Sequence, residues 1–445
     1  VQPTLRRAVL FALVATLSLA APLLGRLAPA PFGPVAVATP FLAAAAAAYA
    51  VTEDRAVFEP LARPADLQSG RLFSLVSFSL AAAGLALAVA FGLPVRVFVA
   101  AALVVGYGHL GFVAARGYTT SVLARIGGFV LAGALAALAG GSLVEEAGTA
   151  YALAVPDAAY AFLVASGALA AGILRSVFKP RDDPLVLVSV ALFCWLLADI
   201  AVFVAWVPLA VALAVTLLVG YISWALDAAS VSGMLTGVLF GLLTVVLGGY
   251  GWFAALVAFF GGGALATKFR YDEKLDRGVA EESGGARTSG NVLGNSAAAL
   301  AALLGFAAAA RLPLSPYVFA FAFAGSVATA LADTLSSEVG GVFDNVRLIT
   351  TLERVPPGTD GGVTWQGELA GLAGATLVAL IVGAAPSVPI ALVEAPAVVA
   401  AGFVGMTVDS LLGALVEGGR IGNQTVNFLA TLSGGVAGGL LALLL

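Results

Sequence analysis

The chain has 445 residues, of which 61% are hydrophobic and 10% charged, with a net charge of −4 and a mean hydropathy of +1.05. Soluble domains carry about 25% charge, so this composition excludes a water-soluble globular fold. The apolar residues run continuously over about 18–25 positions, the length that crosses a hydrocarbon core of roughly 30 Å as a helix, whereas a membrane β-barrel would alternate apolar and polar residues. The expected fold is an all-α polytopic membrane protein with about fifteen transmembrane helices.

In chain order, the spans fall near residues 8–25, 34–51, 72–92, 95–115, 127–144, 150–173, 185–205 and 207–225. They continue near 232–248, 250–267, 296–310, 317–339, 367–385, 389–413 and 425–445. Arg6 and Arg7 precede the first span, which reads as an anchor rather than a cleaved signal because further spans follow. His109 lies in an apolar run and reads as a hydrogen-bonded helix residue. The single cysteine, Cys194, excludes a disulfide within the chain and a zinc cluster. Of the 21 basic residues, all but Arg26, Arg96 and Arg311 fall on alternate loops. The positive-inside rule then predicts a multi-pass protein of the cell membrane, N-terminus cytoplasmic and C-terminus outside.

Residues 1–183 hold about six spans whose loops show no chemical constellation, and they read as an accessory bundle, with Asp157 the one residue that stands out. Residues 184–445, with a core at about 207–445, change in character: their polar loops are dense in Gly, Asn, Asp and Arg. Asp199, inside a span, is an acid at membrane depth and reads as a helix-packing residue, although such acids mark function by default.

Three loops on one side carry the chemistry. The first runs from Thr267 to Asn295 and holds Lys268 and Lys274, two of the three lysines in the chain, with Arg270. Arg287, Asn291 and Asn295 are spaced four apart, so a helix would set them on one face. With Gly284 and Gly285 before them they suit a phosphate, although no G-x-x-x-x-G-K-[ST] loop is present. The second is Asp333 with Ser336 and Ser337 three and four residues on, Glu338 lying off to the side. An acid and hydroxyls on one helix face suit Mg²⁺, which takes one or two carboxylates plus phosphate oxygens. A turn reading Val-Pro-Pro-Gly-Thr-Asp-Gly-Gly-Val-Thr from Val355 to Thr364 follows, with Thr359 and Asp360 at its tip. In the third, Gly405, Asp409 and Gly413 are four apart, so small residues beside the acid admit another backbone. Asn423 and Asn427 come next, and Asp227 lies on the same side. Asp409-Ser-Leu echoes Asp333-Thr-Leu, either as a degenerate internal repeat or as coincidence in an Ala/Leu-rich chain.

These stretches, Gly284 to Asn295, Ala332 to Glu338, Val355 to Thr364 and Asp409 to Ala414, resemble in order the motifs of the domain-of-unknown-function 92 family. That family includes transmembrane protein 19 and the plant phytyl-phosphate kinase, and the resemblance covers about residues 207–445. It implies phosphoryl transfer from a nucleoside triphosphate, CTP favoured, to an isoprenyl phosphate or isoprenol at the cytoplasmic face. Such transfer needs mainly metal clamps and cations. Asp333 and Asp409, as catalytic carboxylates, would hold Mg²⁺ with Ser337. Lys268, Arg270, Lys274, Arg287, Asn291, Asn295, Thr359 and Asp360 would bind the nucleotide and phosphates. The expected partners are the bilayer, the isoprenyl lipid and the nucleotide, with no nucleic acid. Two other classes are weighed: a lipid or small-molecule transporter, which would need polar groups at mid-membrane depth, and a non-catalytic scaffold.

Overall fold

The computed structural model describes residues 2–29, 31–144, 157–178, 183–200, 203–280, 286–416 and 421–445. The Gly284–Gly285 pair singled out above, and Lys179, Arg181 and Arg420 among the basic residues of the alternate loops, lie outside the described residues. Each apolar segment read from the sequence becomes a helix. Thirteen are long and apolar enough to cross a membrane, and two more, Gly33–Tyr49 and Val231–Leu247, are shorter. They are α1 (Thr4–Leu27), α2 (Gly33–Tyr49), α3 (Phe73–Phe91), α4 (Val95–Arg116), α5 (Val122–Leu143), α6 (Ala158–Val177), α7 (Asp183–Ile200) and α8 (Trp206–Ala225). Next come α9 (Val231–Leu247), α10 (Tyr250–Lys268), α11 (Ser289–Ala307), α12 (Pro316–Gly340), α13 (Trp365–Ala384), α14 (Leu392–Val416) and α15 (Asn423–Ala442). Hydroxyl and carboxylate caps start many of them: Asp157 accepts from Tyr160 N at 2.6 Å, Ser230 from Gly233 N and Thr364 from Gly367 N, each satisfying an orphan amide of the first turn. Asp157, left open by its sequence, is thus a helix cap that also pairs with Arg96 at 3.2 Å.

The chain divides into two compact units, Val1–Leu209 and Ala210–Leu445. In the first, α7 packs on α3, α4 and α6, so this span belongs with the N-terminal unit although its sequence follows the boundary drawn at residue 183. Its first turn explains why. Asp183, buried, accepts from the buried Arg63 guanidinium at 2.7 Å. Arg63 also lies 3.3 Å from His109 Nε2 and 4.0 Å above the Phe11 ring. Arg63 is therefore not a headgroup-facing loop residue but part of a buried polar cluster. Sequence reading missed the cluster because its members are far apart along the chain.

In the second unit α12 is central, packed by α10, α11, α13, α14 and α15. Small residues set these distances, as expected where helices associate without water to drive them. A Cβ on Gly405 would stand 2.2 Å from Thr329 Oγ1, and one on Gly434 1.9 Å from the same hydroxyl. Between α12 and α13 the chain leaves the helical layer and forms a small hairpin, β1 (Arg347–Leu348) antiparallel to β2 (Gly362–Val363).

Candidate functional site

Asp333 on α12 and Asp409 on α14 each sit about two turns before the end of their helix. Their carboxyl groups are within hydrogen-bonding reach of one another. Asp409 Oδ1 is buried without a hydrogen-bond partner among the described residues. Around this pair is a cavity of about 370 Å³, lined also by Arg287, Asn291, Asn295, Ser337, Thr359 and Asp360. Thus eight of the eleven residues that the sequence reading assigned a catalytic, metal or phosphate role meet at one end of the second unit. Asn423, Asn427 and Glu338 line the same cavity.

Local structure explains how each side chain arrives. The helix that carries Asn291 and Asn295 begins at Ser289 with Thr288 as its cap, so Arg287 is not helical as its spacing suggested. Its main chain instead bridges to the α8–α9 connection: Arg287 N donates to Ala228 O and Ser230 N donates to Arg287 O, both at 3.0 Å. Gly233 makes room for that bridge, since a Cβ there would fall 2.1 Å from Arg287 O. The guanidinium passes over Phe259, 5.0 Å from the ring centroid, and lies against Gly263.

The Val355–Thr364 turn reaches the acids through glycine. Gly361 has φ +73°, a conformation costly for any residue with a Cβ, and a Cβ there would stand 2.5 Å from Ala414 N and 2.6 Å from Ser410 O. Gly413 faces Gly361 in turn. The turn therefore rests on α14 beside Asp409, and Thr359 is tied to the turn by donating to Pro356 O at 2.7 Å. The small residues beside Asp409 admit this turn at Gly413 and α12 at Gly405.

The lysines and Arg270 behave differently. Lys274 is buried and paired with Glu338, and it donates to Thr267 O at 2.7 Å and Ala266 O at 3.1 Å. Glu338 also accepts from Thr267 Oγ1 at 2.8 Å. Both charges are then satisfied internally, so Lys274 braces the α10 end against α12 and presents no ammonium to the cavity. Glu338, which helix geometry set aside, is the partner that holds it. Arg270 has a left-handed backbone, φ 47°, and turns to Glu273 with Nε 2.9 Å from Oε1; it lines neither this cavity nor the apolar one described below. Lys268 donates to Leu226 O at 3.4 Å and lines the apolar cavity. Asp227, also at positive φ, is not among the residues lining the polar cavity.

No group of three or more His, Cys, Asp or Glu side chains gathers among the described residues, so these residues form no cage of carboxylates alone. Two facing carboxylates, one with a buried oxygen that no donor reaches, do fit the sparse set of hard oxygens that Mg²⁺ takes when substrate phosphates complete its shell.

A polytopic helical membrane protein with a polar, acid-and-arginine cavity at one end of its C-terminal helices is the class that fold and site define. The chain belongs to the integral membrane protein family DUF92, whose profile matches residues 214–435. An uncharacterised membrane protein of Methanocaldococcus jannaschii is 34% identical over 212 residues, 46% of this chain and 82% of that protein. A membrane protein of Synechocystis is 32% identical over 199 residues, 43% of this chain and 74% of its own length. The chloroplast protein VTE6 of Arabidopsis thaliana is 37% identical over 145 residues, 32% of this chain and 43% of VTE6, so the match spans less than half of VTE6. No solved structure matches the chain.

Proposed function

We propose that the second unit is a phosphotransferase that moves a phosphoryl group from a nucleoside triphosphate, CTP favoured, to an isoprenyl phosphate or isoprenol at the membrane surface. The observation that carries this reading is the meeting of Asp333, Asp409 and Arg287, from three separate stretches of chain, on one cavity. The family resemblance, with the plant phytyl-phosphate kinase among its members, supports the substrate class. Phosphoryl transfer asks a protein mainly for position and charge, and the side chains here supply both. Arg287 offers a planar set of donors to phosphate oxygens. Asn291, Asn295, Asn423 and Asn427 offer neutral amides. The Thr359–Asp360 turn closes one side. Asp333 and Asp409 would hold Mg²⁺, which when bound neutralises charge on the triphosphate. An acceptor oxygen bonds to the terminal phosphorus while the bond to the bridging oxygen breaks and nucleoside diphosphate leaves. A phosphate acceptor is already ionised and needs no base, whereas an alcohol would pass its proton to a carboxylate.

The test is direct: purified protein is incubated with Mg²⁺, each nucleoside triphosphate in turn, and geranylgeranyl phosphate or free prenols. Phosphorylated lipid is expected. Its absence with every donor, together with nucleotide-independent lipid flux in liposomes, would favour a transporter instead.

A further inference from the structure

A second cavity, of about 360 Å³, lies in the same unit between α8, α9 and α10, within the volume range of small-molecule pockets, about 300–1,000 Å³. Its walls are apolar, with Gly237, Phe253, Leu256, Phe260 and Gly261 among them. From Phe253 to Lys268 it follows α10 for about 22 Å at 1.5 Å per residue, most of the depth of a hydrocarbon core. It is therefore an elongated groove along a membrane-spanning helix rather than a surface dimple. Three features mark it as a place for a guest. Gly237 and Gly261 face open space, with no heavy atom within 4 Å of where a Cβ would stand. At the far end Gly241 meets Thr216 and Phe253 closely, which closes the groove. At the near end stand two cations, Lys268 and Arg287. Arg287 lines the polar cavity as well.

From this juxtaposition we infer that the α8–α9–α10 groove holds the hydrocarbon chain of an isoprenyl monophosphate, with its phosphate on Lys268 and Arg287 at the border of the polar cavity. The choice of ligand rests on the phosphotransferase reading. The match is one of charge and shape: a single apolar chain fits a glycine-floored groove closed at one end, and a dianionic head meets two cations at the other. A phosphate held at Arg287 also has its oxygens on the side of Asp333 and Asp409, which is where an acceptor is needed.

The test uses the full chain in nanodiscs and a diazirine-bearing geranylgeranyl monophosphate, with cross-links mapped by mass spectrometry. Cross-links within α9 and α10 are expected, competed by geranylgeranyl phosphate and not by phosphatidylcholine. Gly237→Leu puts a side chain into the groove at a position where a Cβ meets no protein atom within 4 Å, and should cut labelling at least tenfold while the melting temperature holds. Gly261→Leu, on the facing helix, should do the same and leaves α9 untouched. Inorganic phosphate, which has no chain to place in the groove, should bind both variants as it binds the parent chain. Labelling elsewhere, labelling by a diazirine phospholipid alone, or full labelling of both variants would overturn the groove assignment. Phosphorylation of lipid with cross-links outside the groove overturns this inference and leaves the activity standing. Cross-links in the groove without phosphorylation under any donor do the reverse.

Discussion

At Asp333 and Asp409 two carboxyl groups share one half-buried site, and like charges so placed repel until a proton or a cation lies between them. Asp333→Asn keeps the volume and removes one charge. It is expected to abolish phosphoryl transfer while the protein still inserts, read as turnover across a Mg²⁺ titration; turnover unchanged at every Mg²⁺ concentration would refute the metal role. Arg287 gives a second, more conservative probe. A charge-assisted hydrogen bond is worth about 1.5–3 kcal/mol, so loss of its two-pronged geometry in Arg287→Lys should raise the dissociation constant for nucleotide or isoprenyl phosphate about ten- to hundredfold. Lysine keeps the charge but cannot present the planar fork. Wild-type affinity for both ligands would return Arg287 to a role in membrane topology. Much of this site was legible at the residue scale, because Asp333, Asp409 and the two asparagines of α11 each stood out as polar groups in an apolar chain. Lys274 was not legible. A lysine in a basic loop looks the same in sequence whether it faces solvent or, as here, is buried against Glu338, and only the fold brings that acid to it.

The elements that shape the cavity are held by glycine contacts more than by polar bonds. Helices of the second unit approach closely at Gly325, Gly405 and Gly434, all beside α12, and the non-helical turn before α13 is seated through Gly361 on α14. Gly361→Ala tests that seating. A left-handed conformation costs an L-residue roughly 1–2 kcal/mol, and the added methyl would also press on Ala414 and Ser410. The turn should lift, with faster hydrogen exchange at residues 358–362 and a weaker grip on the nucleotide, while exchange in the buried α12 stays slow. Unchanged exchange in the turn would mean that it is anchored by something other than the glycine contact. At this scale the sequence was informative about existence and less so about ends. All fifteen helices were foreseen because a bilayer demands continuous apolar runs. The span read near 296–310 begins earlier, at Ser289 with Thr288 as its cap, yet stops short of Arg287, whose four-residue spacing from Asn291 mimics a helical face.

On the scale of the whole molecule, the family profile lies within the second unit, and 82% of the Methanocaldococcus jannaschii relative is matched by 46% of this chain. That relative has no room for two units of this size. The first unit, with its own buried Arg63–Asp183 pair, lies outside the matched profile. The cavity also constrains topology, because the α10–α11 connection, α11, the end of α12, the turn before α13, α14 and the start of α15 all line it, which sets these segments on one side. Asp272, after α10, and Glu353, in the hairpin loop, are both exposed and belong to loops that adjoin this site. Once Cys194 is removed, a cysteine at either position should react with an impermeant maleimide from the same side. Cys194→Ser suits the purpose: the thiol is buried against Gly167 and near Leu163 O at 3.7 Å, a contact that a hydroxyl of similar size can keep. The basic residues around both positions, Lys268 and Arg277 near one and Arg347 and Arg354 near the other, predict that this side is the cytoplasm. Asp272→Cys and Glu353→Cys should therefore label in inverted vesicles and stay protected in right-side-out ones. Labelling of the two from opposite sides would break the cavity apart and with it the shared site. Labelling of both from outside would keep the cavity and reverse the orientation, moving the phosphate chemistry to the other face of the membrane.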